Sequence, residues 1–385
     1  MKAHLSKDNL MKTIIGILML ALLIGMAVFH FVQTDKAYSS KEKRTLQQLP
    51  ELTLETLTDG SWMEKMGIYL ADQFPLRDTW MAFESNFSVL LGKTQSNGVY
   101  YSQNDRLIEQ FETPDVVLRQ KTLDAVNQFG ENIPNSHLYF CLVPTAITIY
   151  EEDLPLFVED GIEQSYLDAF SEGLSEHIQF IAVTDALKNQ KETGTSVYYR
   201  TDHHWTTEGA YAAYKEIAQT IGWETAELDK GVVCNQFRGS LSASSGYSTH
   251  NLDAITLYQN EKTSVFVHHG DTREVTSSLY DIEKLDSDNP YEVFLGGNES
   301  TITIETSAEA DRTLLLFKDS YANALIPFLI DHYSTIQVVD PRYYNDSLEA
   351  LFTQYQYDDV LFLYNANTLS KSEDLCILLG DKKFE

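Results

Sequence analysis

The chain has 385 residues, and 43% of them are hydrophobic, enough to bury the core of one large domain or two ordinary ones. A net charge of −29 argues against a nucleic-acid partner and against lying flat on anionic lipid; it reads as a highly soluble surface. The three cysteines, Cys141, Cys234 and Cys376, show no CxxC spacing and are too few for a disulfide scaffold, and Cys141 sits in an apolar run that suits a buried thiol.

Residues 1–12 carry Lys2, Lys7 and Lys12 against one acid, Asp8, and read as a cytoplasmic tail. Residues 13–32 are almost wholly apolar, and a helix of that length spans about 30 Å, the thickness of a bilayer core. The lysines should stay inside, which places the rest of the chain outside a single-pass signal anchor. A cleaved signal peptide is the competing reading, but its apolar region would be shorter and no small-x-small site is clear.

Residues 33–50, with Lys41-Glu42-Lys43-Arg44 and Pro50, read as a linker, and 51–385 as one extracytoplasmic domain. Residues 53–92 are expected to be mainly helical, and Gly98–Ile108 to form a hairpin turning at Gln103-Asn104-Asp105. From 116 the pattern alternates. Val116–Phe129 and Gln164–His177 read as helices, and Leu138–Val143 and Ile178–Val183 as strands. A helix with apolar positions at Ala210, Ala213, Tyr214, Ile217, Ala218 and Ile221 should stop at Gly222.

Residues 225–310 are rich in Ser, Thr, Asn and Asp. They read as an insertion with short strands at Ser264–His268 and Thr301–Glu305. The last section returns to strands at Thr313–Phe317, Ile336–Val339 and Val360–Tyr364. Between them lie helices at Tyr321–Tyr333, kinked at Pro327, and at Ser347–Gln356. This order predicts an α/β domain with a parallel sheet, whose ligands sit beyond the carboxyl ends of the strands, where Ser320, Arg342 and Asn365 fall.

Two stretches concentrate chemistry. One is Thr201-Asp202-His203-His204-Trp205, running into a helix; the other is Lys318-Asp319-Ser320-Tyr321-Ala322-Asn323, running from a strand into a helix. Ser320 is placed as a nucleophile at a strand-to-helix turn, or as an ordinary helix cap. In an extended segment Asp202 and His204 share one side, so the carboxylate can hold the imidazole while the imidazole takes the serine proton. In that geometry His203 points the other way, to support structure or line the entrance. Arg342 and Asn365 or Asn367 are candidates for charge or oxyanion hydrogen bonds, or are turn residues. A metal reading would draw on Asp202, His203, His204, His268 and His269, but their spacing fits no standard zinc pattern, and the acyl-serine reading needs neither metal nor cofactor.

At these residues the chain resembles the DHHW proteins of Gram-positive bacteria and, more distantly, the AlgJ/AlgX-type polysaccharide O-acetyltransferases. The resemblance covers about 70–385. It rests on Phe74-Pro75-Leu76-Arg77-Asp78, Val143-Pro144-Thr145, the two stretches above and Asp340-Pro341-Arg342-Tyr343-Tyr344. It implies a three-layer α/β/α SGNH-hydrolase-like domain, circularly permuted so that the Asp-x-His element precedes the serine. It also implies Ser320 as nucleophile, His204 as base and Asp202 as orienting acid, with Arg342 where the alginate enzymes have an active-site arginine; Asn365, Asn367, Tyr321 and His203 are the further candidates around the substrate or oxyanion. The implied activity is extracytoplasmic acetyl transfer or ester hydrolysis on a cell-surface or exported polysaccharide. The implied partner is a membrane-bound O-acyltransferase that supplies the acetyl group. A non-enzymatic scaffold or glycan-binding component is the alternative.

Overall fold

A computed structural model describes residues 7–39, 44–159, 161–225, 227–247 and 249–380. The start of the expected cytoplasmic tail and the Lys41-Glu42-Lys43 part of the linker lie outside these residues. The chain forms two compact units, Met1–Gly92 and Lys93–Glu385.

In the N-terminal unit one helix runs from Lys7 to Val32, and its section Met11–His30 is long and apolar enough to cross a membrane. Helices follow at Leu54–Thr58, Ser61–Asp72 and Arg77–Leu90. The first is opened by a capping box between Thr53 and Thr56, and the last two are separated at Pro75. Gln73 joins this section to the end of the long helix. Its carbonyl bonds His30 Nδ1 at 3.1 Å, and its side chain accepts from Lys36 N at 3.0 Å and donates to Lys36 O at 2.9 Å. Residues 51–92 fall in the same compact unit as the apolar helix.

The second unit is built on an eight-stranded sheet. Its strands are β1 (His137–Val143), β2 (Ile178–Phe180), β3 (Val265–His269), β4 (Val275–Thr276), β5 (Thr301–Thr306), β6 (Thr313–Lys318), β7 (Thr335–Val339) and β8 (Asp359–Asn365). Their spatial order is β4-β3-β5-β7-β6-β8-β1-β2. The five strands from β7 to β2 are parallel, and β5, β3 and β4 are each antiparallel to their neighbours. The sheet is therefore mixed, not the parallel sheet expected. A parallel neighbour needs a crossover of a dozen or more residues. The link 270–274 between the neighbours β3 and β4 is too short to hold one, and the link 307–312 reverses the chain from β5 past β7 into β6. The section 225–310 thus supplies three strands of the main sheet, beside a separate hairpin of Asp229–Phe237 and Asp253–Gln259.

β6 and β8 are buried on both faces, which is why they read as unbroken apolar runs. Phe317, Phe362 and Phe140 stand side by side in register on β6, β8 and β1. Their neighbouring rings stack at 5.1 and 5.4 Å, and Phe129 from helix Val116–Asn132 meets two of them edge-on. Helix Thr207–Ile221 carries the expected apolar stripe and ends at Gly222 with φ of 86°. The helix expected at 321–333 is broken rather than kinked: Ala322–Leu325 gives way to a 3-10 turn at Ile326–Phe328, because Pro327 lacks an N–H and crowds the preceding turn.

Phe362 packs between two rings and under a third, so truncating it leaves a cavity in the sheet's centre. Phe362→Ala should lose about 3–5 kcal/mol of stability in urea titration. A loss under about 1 kcal/mol would show that the ring ladder does not hold the sheet together.

Candidate active site

Parallel β6, β7, β8 and β1 end on one side of the sheet, which collects Asp319-Ser320, Asp340, Asn365 and Pro144-Thr145 there. The Asp-His-His-Trp stretch is brought to the same place by anchors outside the sheet. Asp253 accepts from Arg200 N at 2.7 Å, Thr201 N at 2.8 Å and Thr201 Oγ1 at 2.6 Å. Arg106 is buried, with Nη1 donating to the carbonyls of Tyr198 and Tyr199 at 2.8 and 2.9 Å. Thr206 caps the following helix through Gly209 N.

Residues 200–204 form successive bends, not the extended segment expected. Asp202 bonds forward to its own chain: Oδ1 accepts from His204 N at 3.0 Å and faces His204 Nδ1 at 2.5 Å. Its other oxygen accepts from Ser240 N at 2.7 Å. Gly239 makes this approach possible, since a Cβ there would strike the Asp202 side chain. With a carboxylate against Nδ1, the imidazole carries its proton on that nitrogen and leaves Nε2 as an acceptor. Ser320 Oγ lies 2.7 Å from Nε2 and donates to it. The structure thus brings Asp202, His204 and Ser320 into one hydrogen-bonded line, all three buried.

The bends also correct the expectation for His203. Its ring sits beside that of His204, with centroids 3.9 Å apart, and its Nδ1 bonds Ser240 Oγ at 2.7 Å. Because the backbone is not extended, neighbouring side chains are not forced to opposite sides. On its other face His204 stacks on Tyr291 at 3.7 Å and an interplanar angle of 12°. Tyr291 OH donates to Ser320 O at 3.2 Å, so one residue touches both His204 and Ser320.

Ser320 is held by its neighbours. Asp319 accepts from Tyr321 N at 2.9 Å and from Asn365 N and Nδ2 at 2.8 and 2.6 Å, tying the ends of β6 and β8 together. Burial raises its carboxyl to about 6 from an ordinary 3.8, against the bonds from Asn365 and Tyr321 and the nearby charge of Arg342. Trp205 Nε1 donates to Tyr321 O at 2.9 Å, and Tyr321 OH to His203 O at 2.5 Å. Lys318 is fully buried, with Nζ 2.8 Å from Asn298 Oδ1, 2.9 Å from Asn323 Oδ1 and 3.3 Å from Asp340. Asp340 in turn clamps Arg342 through two bonds, of 2.8 and 2.6 Å.

The remaining site candidates are placed differently from one another. Asn365 has no spare donor, because Nδ2 serves Asp319 and Thr368 Oγ1 while Oδ1 caps the next helix at Thr368 N. Tyr321 is wholly buried with its hydroxyl engaged, so it supports the Asp-His-His-Trp bend from below. Arg342 is partly exposed beside the sheet end. Asn367 is buried, and its Oδ1 has no hydrogen-bond partner among the described residues. Asp202, His203 and His204 offer ligand atoms within 4.8 Å of one another, a donor set that suits zinc. His268 and His269 belong to β3 and face Glu305 and Glu299, so the wider set of histidines does not converge.

Tyr291, Asp253, Arg106 and Ser240 were missed in the sequence. Tyr291 lies in a 3-10 turn with no periodicity to mark it, and Gly239-Ser240 reads as any turn. The three hydrogen bonds that Asp253 accepts form only once the hairpin is folded.

Residues 120–299 match the model of the SGNH hydrolase-like domain of the acetyltransferase AlgX. The probable alginate O-acetylase AlgJ of Pseudomonas fluorescens is 23% identical over 177 residues, 44% of this chain and 45% of that protein. The counterpart in Pseudomonas syringae pv. tomato is 25% identical over 183 residues, covering 43% and 44%. The chain therefore spans less than half the length of these curated relatives. Among solved structures, a DHHW family protein of Eubacterium siraeum aligns over 74% of this chain and 95% of its own, with a TM-score of 0.63 and 24% identity. Bacillus cereus PatB1, solved with a sulfonyl adduct, aligns over 73% and 98% with a TM-score of 0.62 and 20% identity. The fold is that of an SGNH-hydrolase-like domain.

Asp319 gives the site a pH signature. The folded state binds this proton more tightly than the unfolded chain, so its contribution makes stability fall as pH rises from about 4 to about 6. Asp319→Asn should flatten that slope in a series of thermal melts. Glu163, which burial raises to about 7 where it accepts from Thr145 N and Thr148 Oγ1, adds a slope reaching higher pH that the variant keeps. An unchanged profile between pH 4 and 6 would contradict the burial of a titrating Asp319.

Proposed function

We propose that the sheet domain transfers acetyl groups through Ser320, acting outside the membrane on a cell-surface or exported polysaccharide. The observation that carries this reading is the line Ser320 Oγ–His204 Nε2 at 2.7 Å and His204 Nδ1–Asp202 Oδ1 at 2.5 Å. A serine hydroxyl is a poor nucleophile until a base removes its proton as it attacks. His204 is placed to take that proton, and Asp202 fixes the tautomer and steadies the imidazolium that results. Ser320 Oγ attacks the acetyl carbonyl, the donor's leaving oxygen departs with the proton from His204, and an acetyl-serine remains. A sugar hydroxyl then enters, gives its proton to His204 and attacks the acetyl-serine carbonyl; the bond to Ser320 Oγ breaks, Oγ takes the proton back from His204, and the sugar leaves as the acetyl ester.

The oxyanion formed at each step needs donors. The backbone N–H of Ser320 and the Nδ2 amide of Asn367 are the candidates, and Arg342, held as a cation by Asp340, lies at the same sheet end to meet the acceptor. His203, one-third exposed beside His204, lines the approach. The relatives' names support acetyl transfer to polysaccharide. A membrane-bound O-acyltransferase would supply the acetyl group, and the helix Lys7–Val32 would hold the domain at the outer face.

The full chain in detergent should hydrolyse a fluorogenic acetyl ester, and an oligosaccharide acceptor should gain acetyl groups detectable by mass spectrometry. Ser320→Ala and His204→Ala should each lower kcat by about a thousandfold or more. Wild-type turnover no faster than that of Ser320→Ala, with both proteins folded, would favour a glycan-binding component instead. Tyr291→Ala should lower kcat by about tenfold with KM nearly unchanged, since the ring holds His204 rather than substrate. Tyr291→Phe, which keeps the stack, should restore most of the rate.

A further inference from the structure

Large exposed apolar side chains crowd the short stretch 49–92 and are sparse in the far longer sheet unit. Along helix Arg77–Leu90 they form a stripe. Trp80, Phe83 and Phe87 follow one another at spacings of three and four, with exposures of 48%, 62% and 49%, and Leu90 and Leu91 continue the line. The rings of Phe83 and Phe87 stack at 6.0 Å. Ser85, on the opposite side of the helix, is buried, so the apolar face points outward. Soluble surfaces rarely leave such a contiguous aromatic face to water.

The position of this helix within its unit says what covers it. His30, the last residue of the apolar span, bonds the carbonyl of Gln73, four residues before the helix begins. Lys36 Nζ, six residues beyond the span, pairs with Asp78 in the first turn at 3.5 Å. The start of helix Arg77–Leu90 is therefore fastened to the point where the span would leave a bilayer. A helix of fourteen residues is about 21 Å long. Exposed apolar residues along its whole length suit a helix lying flat at that level, and Trp and Phe are the side chains that settle at a lipid–water boundary.

We infer that helix Arg77–Leu90 lies on the outer leaflet of the bilayer that anchors the chain, with Trp80, Phe83 and Phe87 inserted among the lipids. This rests on reading Lys7–Val32 as a membrane anchor. The attraction is apolar: the helix carries Arg77, Asp78 and Glu84, no basic excess, and the acidic chain gains nothing from anionic headgroups. The N-terminal unit is thereby held at the membrane by two attachments, the span and the stripe.

The test uses the full chain in phosphatidylcholine vesicles that contain a lipid brominated on its acyl chains. Flotation with the vesicles reports the anchor. Quenching of tryptophan emission, compared between wild type and Trp80→Phe, reports the stripe. The expected result is flotation of both proteins, with the Trp80 share of the emission largely lost in brominated vesicles and the loss unchanged by added salt. Phe83→Glu combined with Phe87→Glu should still float but return the Trp80 emission. Flotation with equal quenching in wild type and Trp80→Phe would overturn the inference while leaving the anchor intact, and would assign the stripe to a protein partner. Failure to float would overturn the anchor and the inference together.

Discussion

The contact between Ser320 Oγ and His204 Nε2 joins two stretches separated by 116 positions in the chain, and nearly every unusual feature of the second unit serves to hold it. Proton transfer from serine to imidazole needs the two atoms within about 2.6–3.2 Å, and a misplacement of about 1 Å can cost about a hundredfold in rate. Neither residue sits within a regular element. Ser320 follows β6 on a tight turn, and His204 ends a run of bends. Each turn is therefore fixed from outside: the first by Asp319 and Asn365, the second by Asp253, Arg106 and Tyr321. The two are then locked to each other by Trp205 and Tyr291, whose polar atoms bond the carbonyls of Tyr321 and Ser320.

This arrangement buries several charges within a few residues of one another. Lys318, Asp340, Asp319 and Asp202 are all nearly inaccessible, and an isolated buried charge costs several kcal/mol. The cost is limited because each has partners: Lys318 with Asp340 and two asparagines, Asp340 also with Arg342, Asp319 with three N–H donors, and Asp202 with His204 and Ser240 N. Such networks add little net stability, but they leave few alternative arrangements for the loops they bind. That is what a preorganised reaction centre requires.

Much of the fold was legible because buried parallel strands leave long apolar runs; β1, β6, β7 and β8 were all found within a residue or two. Asp202, His204 and Ser320 were legible because chemistry-bearing side chains were concentrated at a strand end and a helix start. What failed did so for local reasons. Alternation holds only for extended backbone, and residues 200–204 bend, so the His203 ring lies beside that of His204. Asn365 at a strand end looked like an oxyanion donor, but helix capping and the Asp319 clamp use its whole amide. Tyr291 lies in a polar section whose short strands at 265–269 and 301–306 are legible as strands but not as members of the main sheet, since short antiparallel strands near an edge need no continuous apolar run. The N-terminal helices were recognised as helices, but their place with the apolar span depends on Gln73, a residue with no signal of its own.

The central claim is that Ser320 carries an acetyl group covalently. The most direct measurement is to mix the full chain with an activated acetyl ester, quench in acid within the first turnovers, and map the digest by mass spectrometry. One added acetyl group on the peptide containing Ser320, absent in His204→Ala, is the result expected of an imidazole-activated serine. An unmodified Ser320 in a folded protein, or equal labelling with and without His204, would contradict it.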